Sequence, residues 1–310
     1  MQAIYQFAIL VAGVLAMAFS SERVVTYGRR IAAALQVHPF LVGLTLVSLG
    51  TDLPEIINAI VSSYLGHGDI NVGDSLGSSI TQITLVLGLL AFVSKSFKVN
   101  RREVISTGSL LAISLFLFAW LSMDGYISRV DSLFMIALWV VSIFFIKVTA
   151  NLEGVHKVEN YSIWKDLALM LLSFTGVGIG AYFTINSVIA LSSSWGIPEY
   201  FVSFLVVGIG TSLPELAVDF TAIRRGESEI AIGDLMGSSL VDATVSIAVG
   251  ALAFPISISA AYIFPTALLA VFATAAVMAV LTAMGKVNKV TGVMLLLIYA
   301  RVLMESAKFL

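Results

Sequence analysis

Residues 50–84 read GTDLPEIINAIVSSYLGHGDINVGDSLGSSITQIT, and residues 210–244 read GTSLPELAVDFTAIRRGESEIAIGDLMGSSLVDAT. A constant offset of 160 superposes the two stretches without a gap, and 13 of the 35 aligned positions are identical. The identities include Gly50/Gly210, Thr51/Thr211, Pro54/Pro214, Glu55/Glu215, Asp74/Asp234 and Ser78/Ser238. Both copies sit in apolar surroundings, where a carboxylate is costly and marks a functional site. Two half-sites of oxygen ligands, one from each copy, point to a cation path through a membrane.

Composition agrees. The 310 residues are 59% hydrophobic and 12% charged, with a mean hydropathy of +1.00. A soluble domain carries about 25% charged residues, so the chain reads as a membrane protein. A net charge of −2 offers nothing to nucleic acid. There is no cysteine, which excludes disulfides and thiolate ligands. His38, His67 and His156 fall at or near predicted loops, so no His-built transition-metal site is expected. A bound ion would meet oxygen, which favours hard cations such as Ca²⁺, Mg²⁺ or Na⁺. No enzyme activity and no organic cofactor are expected.

A bilayer-crossing helix needs about 20 mostly apolar residues. Such stretches lie near 2–21, 36–64, 70–94, 104–122, 130–149, 166–192, 199–223, 229–254, 259–283 and 288–307. The first basic residue, Arg23, follows the first apolar stretch. A signal peptide would begin with a positive region, so residues 2–21 are read as a retained span. The boundaries are a first five-helix repeat over 1–149, a short cytoplasmic linker over 150–165, and a second five-helix repeat over 166–310. An odd number of spans per repeat makes the second enter from the opposite side, the inverted construction of many secondary transporters. The distribution of positive charge tests this. With the N-terminus outside, 14 of the 17 basic residues fall on cytoplasmic connections, and only Arg129, Arg301 and Lys308 fall outside. The predicted fold is therefore an all-α membrane protein of ten transmembrane helices in two inverted repeats. It is expected in the plasma membrane among lipid, with both termini extracellular. The linker has no room for a regulatory Ca²⁺-binding domain, and one chain holds both half-sites, so a monomer should suffice.

In each copy the Gly-Thr-x-Leu-Pro-Glu run interrupts an apolar helix. Proline removes a backbone donor and clashes with the carbonyl four residues back. Irregular backbone at membrane depth is tolerated where it lines a cavity or is buried in protein. Freed carbonyls, with Thr51, Glu55, Thr211 and Glu215, then supply oxygens to a cation. The competing reading is a structural kink whose Glu is salt-bridged elsewhere, but no basic residue lies near mid-membrane in any predicted span. The next helix carries Asp74, Ser78 and Gln82 in one repeat and Asp234, Ser238 and Asp242 in the other. Each trio is spaced to share a helix face. Asp74 and Asp234 lie near the start of their helices and serve equally well as helix-end groups. Asp52 and Asp219 face Ser212 and Ala59 in the repeat alignment. Asp52 would add charge to the site and Asp219 would line an access path, or a nearby hydroxyl would satisfy either.

These residues resemble the α-repeats of the sodium/calcium exchanger family, within the cation/Ca²⁺ exchanger superfamily and in its prokaryotic two-repeat form. The resemblance covers the G-T-S-L-P-E signature, the following G-(N/D)-x-x-G-S stretch and the ten-span layout. It implies a Ca²⁺/Na⁺ antiporter working by alternating access, with Ca²⁺ held by Glu55 and Glu215. It further implicates Thr51, Ser78 and Gln82 from one repeat, and Thr211, Ser212, Ser238 and Asp242 from the other, in adjoining Na⁺ sites. It also implies that the first and sixth spans slide across a core of eight helices. The departures are Asp52 for the signature Ser, Gln82 for Asn, and Asp74 and Asp234 for the Asn of the G-N pair. These bear on ion selectivity.

Three other readings stand beside it. Clustered carboxylates suit proton coupling, so H⁺ is the alternative counter-ion on the same fold. An intramembrane aspartyl protease would use Asp74 and Asp234 as a dyad, which leaves both Glu and both Pro unexplained. A channel would need a filter for which the sequence shows no sign.

Overall fold

A computed structural model of the chain describes residues 2–32, 44, 48–93, 96–149, 163–224, 226 and 228–309. The first repeat contributes α1 (Gln2–Ala32), then α2 (Ser48–Thr51) and α3 (Leu53–Leu65), parted at Asp52. It continues with α4 (Gly68–Thr81), a π-helical turn (Gln82–Val86) leading into α5 (Leu87–Val93), α6 (Arg101–Leu121) and α7 (Arg129–Thr149). The second contributes α8 (Ile163–Trp195) and α9 (Glu199–Val202), whose π turn (Ser203–Val207) leads to α10 (Gly208–Thr211). After Ser212 follow α11 (Leu213–Arg224), α12 (Ser228–Val241), a π turn (Asp242–Ser246), α13 (Ile247–Ala253), α14 (Ala260–Met284) and α15 (Lys289–Ser306).

Eight helical runs among the described residues are long and apolar enough to cross a membrane, and Ile4–Met17 and Leu53–Leu65 are shorter apolar segments. The architecture is the all-α, ten-helix membrane fold of two inverted repeats. Of the expected second span at 36–64, Leu44 and the residues from Ser48 onward are described. Its other residues, and residues 150–162 of the expected linker, lie outside the described residues.

The 160-residue offset holds for the backbone as well as the letters. The helices α2 and α10, the π turns after α4 and α12, and α5 and α13 all start and stop at matching positions. Two short strand pairs repeat the relation. In one, β1 (Phe97–Lys98) runs antiparallel to β4 (Lys286–Val287); in the other, β2 (Tyr126–Ile127) runs antiparallel to β3 (Ile256–Ser257). Exchanging the repeats converts one pair into the other, as a two-fold axis requires. With an odd number of spans in each repeat, that axis lies in the membrane plane.

The runs Gly68–Val93 and Ser228–Ala253 are the most buried spans and form the centre. The main apolar core wraps them, with Leu76, Ile80 and Leu87 from one repeat against Met236, Leu240 and Ile247 from the other. A second apolar cluster joins α1 to α8 through Leu10, Val14 and Met17 against Val177, Ala181 and Ile185. These two helices touch backbone to backbone: a Cβ on Gly180 would sit 2.7 Å from the Gly13 carbonyl oxygen. Small residues permit such approach between membrane helices, where packing rather than water drives association. The pair lies over the signature segment, since a Cβ on Gly210 would run into Val14.

Candidate cation site

Each signature kinks its helix at one residue, Asp52 (φ −74°, ψ 6°) or Ser212 (φ −80°, ψ 7°). Pro54 and Pro214 follow two residues later. Having no N–H, they deprive the carbonyls of Gly50 and Gly210 of their helical donors. The interruption is shallow. Asp52 N–H still donates to the Ser48 carbonyl, and Ile56 N–H to the Asp52 carbonyl, each at 2.9 Å. Glu55 and Glu215 then fall in the first turns of α3 and α11, where the helix dipole favours a carboxylate.

The kinks bring three carboxylates together. One oxygen each from Asp52, Glu55 and Glu215 lies within 4.8 Å of the others, and all three side chains are fully buried. Their six oxygens have no hydrogen-bond partner among the described residues. Thr51 and Asp52 both approach Glu215 without completing a bond of ordinary geometry. No ion pair among the described residues reaches the cluster; the pairs at His67–Glu199, Arg301–Glu305 and Lys308–Glu305 lie elsewhere. A salt-bridged structural kink therefore finds no partner here. Buried charge without compensation is strongly unfavourable, and an oxygen-only cluster selects a hard cation. Three oxygens at such spacing leave a centre roughly 2.8 Å from each, a few tenths beyond the Ca²⁺–oxygen range of about 2.3–2.6 Å.

Hydroxyls and further acids surround this centre and tie the repeats together. Thr211 Oγ1 donates to Asp74 Oδ1 at 2.9 Å and lies 3.1 Å from Ser78 Oγ. The exchanged contacts are Thr51 Oγ1 to Asp234 Oδ1 at 3.4 Å and to Ser238 Oγ at 3.3 Å. Ser212 Oγ donates to the Gly208 carbonyl at 2.8 Å. At the two-fold axis, Ser79 and Ser239 donate to each other's carbonyls, both at 3.1 Å. Gln82 Nε2 donates to Asp242 Oδ2 at 3.0 Å, while Gln82 Oε1 lies 3.0 Å from Ser239 Oγ as an alternative acceptor for that hydroxyl's single proton. Ser246 Oγ completes the set by donating to Asp242 Oδ1 at 3.1 Å.

A family model described as sodium/calcium exchanger protein matches residues 5–148 and 165–305, which takes in both repeats and their signatures. The chain belongs to the sodium/calcium exchanger family. Among its relatives, the inner membrane protein YrbG of Escherichia coli is 28% identical over 269 residues, covering 80% of each chain. The sodium/calcium exchanger MaX1 of Methanosarcina acetivorans is 24% identical, covering 94% of this chain and 96% of its own. A solved structure of the sodium-calcium exchanger NCX_Mj superposes with a TM-score of 0.65 at 25% identity, covering 97% of this chain and 98% of the other.

Within this exchanger fold the residues singled out from the sequence divide into three places. Asp52, Glu55 and Glu215 share one point. Thr51, Thr211, Ser78, Ser238, Asp74 and Asp234 form the hydroxyl–carboxylate contacts between repeats. Gln82 and Asp242 meet each other across the axis. Asp74 and Asp234 each contact the opposite repeat's Thr. Asp219 is fully buried one turn beyond Glu215. His67 lies at the start of α4, and its Nδ1 sits 2.8 Å from Glu199 Oε2; His38 and His156 lie outside the described residues. Reading the sequence missed Asn58, whose Nδ2 donates to Asp74 Oδ2 at 2.5 Å. An amide one turn after Glu55 in an apolar helix was the available signal. It also missed the π turns, for which residue propensities carry no signature.

Proposed function

We propose that this exchanger is a secondary antiporter that moves Ca²⁺ out of the cell in exchange for inward Na⁺, by alternating access. The observation that carries the proposal is the buried Asp52, Glu55 and Glu215 cluster, whose oxygens have no partner among the described residues and sit where both repeats kink. Ca²⁺ takes six to eight oxygens. Glu55 and Glu215 would hold it, with Asp52 adding charge and Thr51 and Thr211 adding hydroxyl or carbonyl oxygen. Ser78, Ser238, Ser212, Gln82 and Asp242 would serve adjoining Na⁺ ions, with Asp74 and Asp234 beside them. Na⁺ and Ca²⁺ then compete for the same carboxylates, and that competition couples the two fluxes. An empty, highly charged cluster resists being covered by an apolar helix, whereas a filled one does not. The glycine-packed α1–α8 pair over Gly210 is the element suited to slide across it.

The unit is a single chain with repeats at 1–149 and 166–310 joined by a cytoplasmic linker at 150–165, in the plasma membrane with both termini outside. The 14-to-3 division of basic residues supports that orientation. Reconstituted protein in Na⁺-loaded vesicles should take up radiolabelled Ca²⁺, and Glu55→Ala or Glu215→Ala should abolish uptake. Uptake that persists without a Na⁺ gradient and follows a pH gradient would replace Na⁺ by H⁺ as the counter-ion. Native uptake in both variants would refute the site.

A further inference from the structure

We propose that Asp74 and Asp234 are positioning residues that hold the signature threonine of the opposite repeat, and that Asn58 fastens the Asp74 side more firmly. The inference rests on the antiport reading for its functional consequence, and on hydrogen bonds for its geometry. Both oxygens of Asp74 are engaged from different helices: Oδ1 accepts from Thr211 on α10, and Oδ2 from Asn58 on α3. The same carboxylate thus joins the kink of the second repeat to the helix that carries Glu55 in the first. A hydroxyl has one proton and two lone pairs. Thr211 Oγ1 has two acceptors within reach, Asp74 Oδ1 at 2.9 Å and the Val207 carbonyl at 3.0 Å, with Ser78 Oγ at 3.1 Å; directing the proton to Asp74 turns a lone pair toward the cation.

The repeats carry the clamp unequally. Thr211 to Asp74 measures 2.9 Å and Thr51 to Asp234 3.4 Å, with the Ser48 carbonyl nearer Thr51 at 3.2 Å; the flanking Ser78 and Ser238 contacts are 3.1 and 3.3 Å. The repeats also differ in sequence beside these contacts. Asn58, Ser63 and Asn71 of the first repeat align with Val218, Ile223 and Ala231 of the second. Asn71 Nδ2 donates to Ser63 Oγ at 3.0 Å and to the Ile247 carbonyl at 3.3 Å, so a buried amide belt braces α3, α4 and α13 behind Asp74.

The test compares Asp74→Asn, Asp74→Ala, Thr211→Val, the Asp74→Ala/Thr211→Val double variant and Asn58→Val. Half-saturation and maximal rate for Ca²⁺ and Na⁺ are read in vesicles, and the unfolding temperature in detergent. Asp74→Asn retains an acceptor and should keep Ca²⁺ half-saturation within about threefold, whereas Asp74→Ala and Thr211→Val should each raise it about tenfold. The double variant should be no worse than either single one, since the two side chains act as a unit. Asn58→Val should give a smaller shift in the same direction. Asp74→Asn as damaging as Asp74→Ala would make the charge itself a ligand and overturn the proposal; so would multiplicative effects in the double variant. If the native chain carries neither ion, the antiport reading falls. The clamp is then judged by unfolding temperature alone, where non-additive losses sustain it and additive losses sink it.

Discussion

Asp52 breaks the chemical symmetry of the site, and Asp52→Ser would restore it by copying Ser212. The kink should survive, because Ser212 adopts nearly the same backbone angles as Asp52. What changes is one charge in a buried cluster. Setting the Asp52 charge as far from the cation as the widest oxygen spacing in the cluster, 4.8 Å, and an effective dielectric of about 20, the carboxylate attracts a monovalent ion by about 3.5 kcal/mol and a divalent one by about 7 kcal/mol. The replacement hydroxyl and any admitted water return part of this to both ions. The difference between them, about 3.5 kcal/mol at most by this measure, corresponds to two to three orders of magnitude in Ca²⁺ over Na⁺ preference. We therefore expect Ca²⁺ affinity to fall roughly 10- to 100-fold while Na⁺ affinity changes only a few-fold. Titration calorimetry of each ion against native and Asp52→Ser protein measures both, with flux in vesicles as the functional readout. Equal shifts for the two ions, or neither changing by more than about twofold, would place Asp52 outside the reach of the bound cation and refute this reasoning.

Other expectations follow from particular contacts. A Cβ on Gly77 would collide with the Phe204 backbone carbonyl, so Gly77→Val should lower stability by about 1–3 kcal/mol as an overpacked seam, read as a drop in unfolding temperature. Gln82→Asn shortens the arm that reaches Asp242 Oδ2; it should leave Ca²⁺ affinity nearly unchanged and alter the Na⁺ dependence of flux. Glu199→Gln removes an ion pair with His67 whose side chains are 24% and 30% exposed, so denaturant unfolding should show a loss of about 1 kcal/mol or less. The chain has no cysteine, so a single Lys308→Cys should react with an impermeant thiol reagent applied from outside intact cells; reaction only after permeabilisation would invert the orientation.

Much of this exchanger is legible in its letters, and for physical reasons. A helix that crosses a bilayer must be long and apolar, so the apolar runs alone yield spans. Positive charge resists translocation, so the distribution of Lys and Arg supports the proposed direction. Carboxylates and prolines are so costly in apolar helices that Glu55, Glu215, Pro54 and Pro214 announce a site before any coordinates. What the letters leave open is which oxygens meet. Asp52 joins Glu55 and Glu215 because the kink turns it inward, whereas Asp74 and Asp234, equally acidic on paper, are taken up by the other repeat's threonines. Gln82 and Asp242 find each other across the two-fold axis, at a sequence distance no helical period can span. Local rules decide where a charge is costly in the membrane; only the packing of one repeat against its inverted copy decides which of those charges finds a donor.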